Sequence, residues 1–363
     1  MSSLSSDIIA EILRRADGTT LATAASSSST LKSIAFQEWL WEDLCSSLWP
    51  STQTGEIKQL ISSLGGFRKF YGYCFPLLNV CWKHPTIDFK EEYQENFNVA
   101  EEEVVHDAVP VSPDDMVTLL DIHFNNKSIY SKVISADGMS HFHRTSCSFF
   151  QTSPFHIDLL CNGDGINMPS ILIDDIEKEK GVDSSKIFQV QNMMRLSWII
   201  INTRTKRAVN LSSWRPLQAR RTFRSRGNEF TIRFGSILPA DHNAMPLDLI
   251  ACNIMVRCRS AGGETMNLQI NEISIQMEDV VGNQMNVREG ALAIERAMKW
   301  EGRSKEHDNI IETCRQVLEI HSEYDHMKEQ EQKVQAVQPR MIDPLYLLFP
   351  FAAMSVFYCY CFM

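Results

Sequence analysis

The sequence predicts an α+β multidomain chain with a three-helix N-terminal unit, a central antiparallel β-sandwich-like domain, and a C-terminal helix followed by a hydrophobic tail helix. Three observations carry this expectation. Apolar residues recur at helical spacing over residues 1–48. Short segments alternate apolar and polar residues over 116–287, punctuated by Gly, Asn and Pro. Helical spacing returns over 288–337, and residues 345–363 contain no charge at all.

At the N-terminus, Ser5, Ser6 or Asp7 caps a helix whose apolar positions are Ile8, Ile9, Ile12 and Leu13. Asp17-Gly18 is expected to end it, and Thr19 or Thr20 to cap the next. A small-residue segment from Leu21 to Ala25 and a serine run, Ser26–Ser29, follow. A third apolar stretch carries Leu31, Ile34, Phe36, Trp39, Leu40, Trp41, Leu44 and Leu48. So small a unit cannot bury this many large side chains alone, and each contributes about 1.5–3 kcal/mol when removed from water. They face either a second polypeptide or the following domain, and spacing alone leaves both open. Residues 49–115 form a helical and acidic connecting region that includes Glu91–Glu103.

In the middle, Val117–Ser135 brackets the turn-forming Asn125-Asn126-Lys127-Ser128 and predicts a hairpin. Leu196, Trp198 and Ile200 alternate, Asn202–Thr205 turns, and Ala208–Leu211 returns. Ile250, Cys252, Ile254, Val256 and Cys258 alternate with Ala251, Asn253, Met255 and Arg257, a half-buried strand. Met266, Leu268 and Ile270 then hold one phase and Ile273, Ile275 and Met277 the other. A one-residue slip flips every side chain, so a β-bulge is expected at Asn271-Glu272.

A chain of 363 residues is long enough for a sizeable core, and its formal net charge of −10 argues against general nucleic-acid binding. The ten cysteines are scattered and none forms a CxxC pair. With no secretory signal, they read as free thiols in the cytoplasm or nucleus. His141, His143, Cys147, His156 and Cys161 have metal-ligating side chains, but their spacings match no compact zinc pattern. Asn162-Gly163-Asp164-Gly165 is a turn rather than a phosphate loop, and no GxSxG elbow is present. No catalytic residue, metal or cofactor is expected.

The basic run Arg204, Lys206, Arg207, Arg215, Arg220, Arg221, Arg224 and Arg226 has two readings. It is a solvated loop face, or Arg207, Arg215, Arg220 and Arg221 with Trp214 form a surface gripping an acidic or phosphorylated peptide. Ile310, Cys314, Val317, His321 and Tyr324 predict an amphipathic helix that packs on the β domain or pairs with a second copy. A helix over Leu345–Met363 would span roughly 28 Å, close to a bilayer's hydrocarbon core, which makes residues 341–363 a candidate membrane anchor facing the cytosol. Pro350 and Asp343 stand against it, and a buried helix is the alternative.

Residues 1–48 resemble an F-box, the module that binds a Skp-type adaptor. The resemblance rests on Leu4 at the opening, Ile8, Ile9, Ile12 and Leu13 on the first helix, Leu21, Leu31, Leu40, Trp41 and Leu44. Ser5 stands where the family has proline and Ala16 where it has leucine, and the family's cysteine and tryptophan are absent around Ser27–Ser33. Further along, WEDL, LWPS, GGFR, FPLL, NLSSWRP and IRFGSILP resemble motifs of a group of plant F-box proteins. Lys127–Val133 and Leu196–Asn202 resemble that group too. The resemblance implies a non-enzymatic substrate receptor of a cullin-type ubiquitin ligase. It assigns adaptor binding to Leu4, Ser5, Ile8, Ile9, Ile12, Leu13, Leu21, Leu31 and Trp41, and a degron site on an unknown protein substrate to the β domain. A lectin-like or membrane-associated binding protein outside any ligase is the alternative.

Overall fold

The computed structural model describes residues 6–75, 77–78, 115–134, 155–158, 166–167, 190–222, 228–239, 249–261, 267–279, 282–301 and 303–304. The chain divides into two compact units, Met1–Leu318 and Glu319–Met363, and all described residues lie in the first.

Helix α1 spans Ser6–Arg14, with Asp7 in its first turn and Arg14 in its last, each suiting the helix dipole. Helix α2 runs Gly18–Ser27. Asp17, not Thr19 or Thr20, caps it: Oδ1 accepts from Thr20 N and from Thr19 Oγ1, both at 2.7 Å. The expected third helix is two helices, α3 (Ser29–Ala35) and α4 (Glu38–Leu48). Ser28, inside the serine run, caps α3 by accepting from Leu31 N at 3.2 Å, and the chain turns at Phe36-Gln37. The N-terminal unit therefore holds four helices over residues 6–48 rather than three. A 3₁₀ turn at Pro50–Gln53 leads to α5 (Gly55–Ser63) and α6 (Phe67–Cys74). No side chain of its own caps α6; the Glu38 carboxylate of α4 accepts from Phe67 N instead.

Strand β1 (Leu77–Leu78) is followed by the hairpin of β2 (Met116–Phe124) and β3 (Lys127–Ile134). Asn125 and Asn126 turn it with φ of 49° and 61°, where Asn is better tolerated than most residues. Short strands β4 (His156–Asp158) and β5 (Ile166–Asn167) precede β6 (Met194–Asn202) and β7 (Arg207–Asn210). Then come β8 (Gln218–Thr222), β9 (Asn228–Pro239), β10 (Leu249–Ala261) and β11 (Asn267–Asp279). Helix α7 (Val287–Lys299) opens on a capping box in which Asn286 and Glu289 bond each other's backbone N–H. Strand β12 (Arg303–Ser304) pairs with β1.

The larger sheets are antiparallel, in the orders β3-β2-β6-β7 and β4-β11-β10-β9-β8, with β5 also on β11. The expected bulge is present. Arg257 pairs with Glu272 but Cys258 pairs with Ile270, so Asn271 is the extra residue. Ile250, Cys252, Ile254, Val256 and Cys258 are all buried as their period requires, and Ala251 and Asn253 on the opposite face are buried too.

Strands β2 and β6 of the four-stranded sheet are buried on both faces, whereas the edge strand β3 is largely exposed. Leu120, Ile122, Leu196, Trp198 and Ile200 join one cluster with β9, β10, β11 and α7. Leu119, Ile199, Ile201 and Ala208 join a second with the N-terminal helices. This explains why β6 reads as a continuous apolar run, Trp198-Ile199-Ile200-Ile201. Cys45, Cys74, Cys252 and Cys258 are buried thiols outside any disulfide.

Candidate functional site

Helix α1 carries apolar residues on two faces. Ile9, Ala10, Leu13 and Ala16 turn inward onto the helical cluster. Ile8 and Ile12, one turn apart, point outward with 51% and 60% of their surface exposed. Phe36 and Trp39 at the α3–α4 turn are 42% and 41% exposed. Among the described residues, these four are the large exposed apolar side chains, all within the first four helices. Clustering of unburied apolar groups in one region marks an interaction surface rather than scattered exposure.

The inward residues build the support. Leu13, Leu21 and Trp41 are buried, with Leu21 only 1% exposed. Trp41 Nε1 donates to Ala35 O at 2.8 Å, fixing the ring under the α3–α4 turn. Arg14 Nε bonds Asp43 Oδ2 at 2.8 Å, tying α1 to α4 at its exposed end. These contacts hold α1 at a fixed angle, so Ile8 and Ile12 are presented on a rigid frame.

Three relatives set this geometry in context. A curated F-box protein of Arabidopsis thaliana is 25% identical over 358 residues, covering 97% of this chain and 93% of its own. A probable F-box protein of the same plant is 26% identical over 302 residues, covering 82% and 75%. The chain is related to plant F-box proteins. The rice F-box protein GID2 is 39% identical over a shorter stretch of 77 residues, 20% of this chain and 36% of its own. No family model matches the chain, and no solved structure does.

Set against the F-box expectation, the structure divides the candidate adaptor contacts into two groups. Ile8 and Ile12 are outward, with Ile9 and Leu31 partly exposed. Leu13, Leu21 and Trp41 are buried among the chain's own helices. Leu4 and Ser5 lie outside the described residues. Phe36 and Trp39 were legible as apolar but not as exposed, since a single long helix would have turned them differently.

The described members of the arginine run have different neighbours. Arg204 pairs with Asp115 at 3.3 Å beside the β6–β7 turn. Arg207 donates to Met298 O of α7 at 3.4 Å. Arg215 is exposed near Arg195, whose pKa is lowered first by burial and then by the Arg215 charge. Arg220 lies near Arg233, whose pKa burial lowers, Glu278 raises and Arg220 lowers further. Trp214, at φ 65°, is partly exposed and sits 5.9 Å from the His123 ring. The side chain of Arg221, and Arg224 and Arg226, lie outside what is described.

Among the described residues no group of three or more His, Cys, Asp and Glu is arranged to hold a metal. His141, His143, Cys147 and Cys161 lie outside them, as do Glu91–Glu103 and the helix expected around Ile310–Tyr324. No described helix is long and apolar enough to cross a membrane, and the tail 345–363 falls outside the described residues.

Proposed function

We propose that this chain is a non-catalytic substrate receptor of an SCF-type cullin ubiquitin ligase, docking a Skp-type adaptor through the outward face of α1. The observation that carries this is the pair Ile8 and Ile12, left exposed on a braced helix in a relative of F-box proteins. Leu4 and Ser5 extend that contact toward the N-terminus, and Phe36 and Trp39 add apolar surface at the α3–α4 turn. The chain's contribution is positional: holding a substrate lysine near the ubiquitin donor raises its effective concentration.

The β domain supplies the substrate contact in this reading. Of Arg207, Arg215, Arg220 and Arg221, Arg215 and Arg220 are the exposed cations among the described residues, with Trp214 next to Arg215 in the chain. Arg207, bonded to the end of α7, braces the fold instead. The protein acts in the cytoplasm or nucleus, and residues 345–363 are either a cytosol-facing anchor or a buried hydrophobic segment. A soluble reporter fused to Ile342–Met363 tests the anchor, which is rejected when the fusion is extracted by carbonate.

Co-purification of the full chain with a Skp-type adaptor tests the assignment. The intact chain is expected to co-elute with adaptor. Replacing Ile8 or Ile12 by alanine should weaken binding by about 2 kcal/mol, the scale of a central interface residue. An intact, folded chain that retains no adaptor removes the ligase reading.

A further inference from the structure

A cavity of about 520 Å³ opens between α2, the α3–α4 turn and α6, within the size range of small-molecule sites. Its walls are Ala22 and Ala25 of α2, Trp41 of α4, and Tyr71 and Phe75 at α6. Trp41 spends its only donor on Ala35 O, so it presents carbon to the cavity. Burial, followed by the Asp17 charge, pushes the Tyr71 hydroxyl well above its ordinary pKa, so that wall stays neutral.

The charge of the lining is one-sided. Among the described residues that line it, Lys32 and Arg68 are the cations and none is acidic. Both cations converge on one ring: Arg68 Cζ is 4.3 Å and Lys32 Nζ 5.6 Å from the Phe36 centroid. Neither makes an ion pair with a described carboxylate. Two like charges held over one ring, beside an apolar hollow, favour an anion between them.

We propose that this cavity binds a small amphipathic anion, an aromatic or branched aliphatic carboxylate. Its apolar body lies among Ala22, Trp41, Tyr71 and Phe75, and its head group lies between Lys32 and Arg68. The site uses neither Ile8 nor Ile12 and shares only Phe36 with the adaptor surface proposed above.

Fluorescence titration of the full chain with anilinonaphthalene sulfonate, beside its uncharged parent phenylnaphthylamine, tests this. The anion is expected to bind at one saturable site, more tightly than the neutral probe. The double variant K32E/R68E, changed at exposed positions, should weaken the anion by about tenfold or more and leave the neutral probe within about twofold. Ala22→Trp, which fills the hollow, should remove both. Charge reversal that leaves the anion's affinity unchanged overturns the proposal, as does loss of the anion on Ile8→Glu/Ile12→Glu, which would place the probe on the exposed helix face.

Discussion

Trp49 Nε1 donates a hydrogen bond to Ser197 Oγ at 2.9 Å, joining the end of α4 to the middle of β6. Both residues are buried, and Trp49 also packs edge-on against Phe70 of α6 at 5.6 Å. The helices and the four-stranded sheet therefore share one interior. Trp49→Phe keeps most of the packing but strands the Ser197 hydroxyl, which should cost about 1–3 kcal/mol. Trp49→Ala should cost about 3–5 kcal/mol. Urea unfolding read by far-ultraviolet dichroism and by tryptophan fluorescence should give coincident transitions. A helical transition preceding the β transition would refute the shared interior.

Asp121, which pairs with Ser197 across the sheet, and His123 two residues further along β2 give the same interface opposing pH responses. Asp121 accepts from Ser51 N at 2.9 Å, Ser51 Oγ at 2.6 Å and Ser131 Oγ at 2.7 Å. Burial nevertheless outweighs these bonds and raises its pKa above 3.8. A raised folded pKa means the folded state holds the proton more tightly. Its contribution to stability is complete below pH 3.8 and is lost as pH rises through the folded pKa. His123 has its pKa lowered below 6.5, chiefly by burial, so its contribution is present above 6.5 and lost as pH falls through the folded pKa. Asp121→Asn should remove the first dependence. The stability difference, wild type minus variant, should grow as pH is lowered from 7 toward 3.8. A difference that shrinks over that range would mean the carboxylate is held charged.

Gly235 sits inside β9 with its neighbours Phe234 and Ser236 buried. A Cβ at this position would lie 2.2 Å from Cys252 O, a backbone atom of the paired strand that has nowhere to retreat. Gly235→Ala should therefore destabilise by about 2 kcal/mol or more despite its conservative size, visible as a lower Tm.

Much of the β architecture was legible because a strand's period is two and any slip shows. The change of phase at Asn271 is the clearest case, and the Asn125-Asn126 turn is another. The helical region was harder. In α1, Ile8-Ile9 and Ile12-Leu13 are adjacent apolar pairs, so periodicity gives two equally greasy faces and cannot rank them. Only the packing of Leu13 and Ala16 beneath α3 and α4 decides which turns in. The break at Phe36-Gln37 carries no Gly or Pro, and with it went the exposure of Phe36 and Trp39. The cavity was invisible for a different reason: Lys32 and Arg68 are separated by two helices in sequence and meet only over Phe36.

The two faces of α1 should separate stability from partner binding. Ile8 and Ile12 give up little on folding, so Ile8→Ser and Ile12→Ser should shift unfolding free energy by no more than about 0.5 kcal/mol, as surface substitutions do. Leu21, enclosed by the helical cluster, should lose about 2–5 kcal/mol on truncation to alanine. Chemical denaturation of the three variants without any partner measures this directly. If Ile8→Ser destabilises as much as Leu21→Ala, the outward face is already covered by the chain itself. The surface offered to an adaptor would then not exist, whatever the relatives are called.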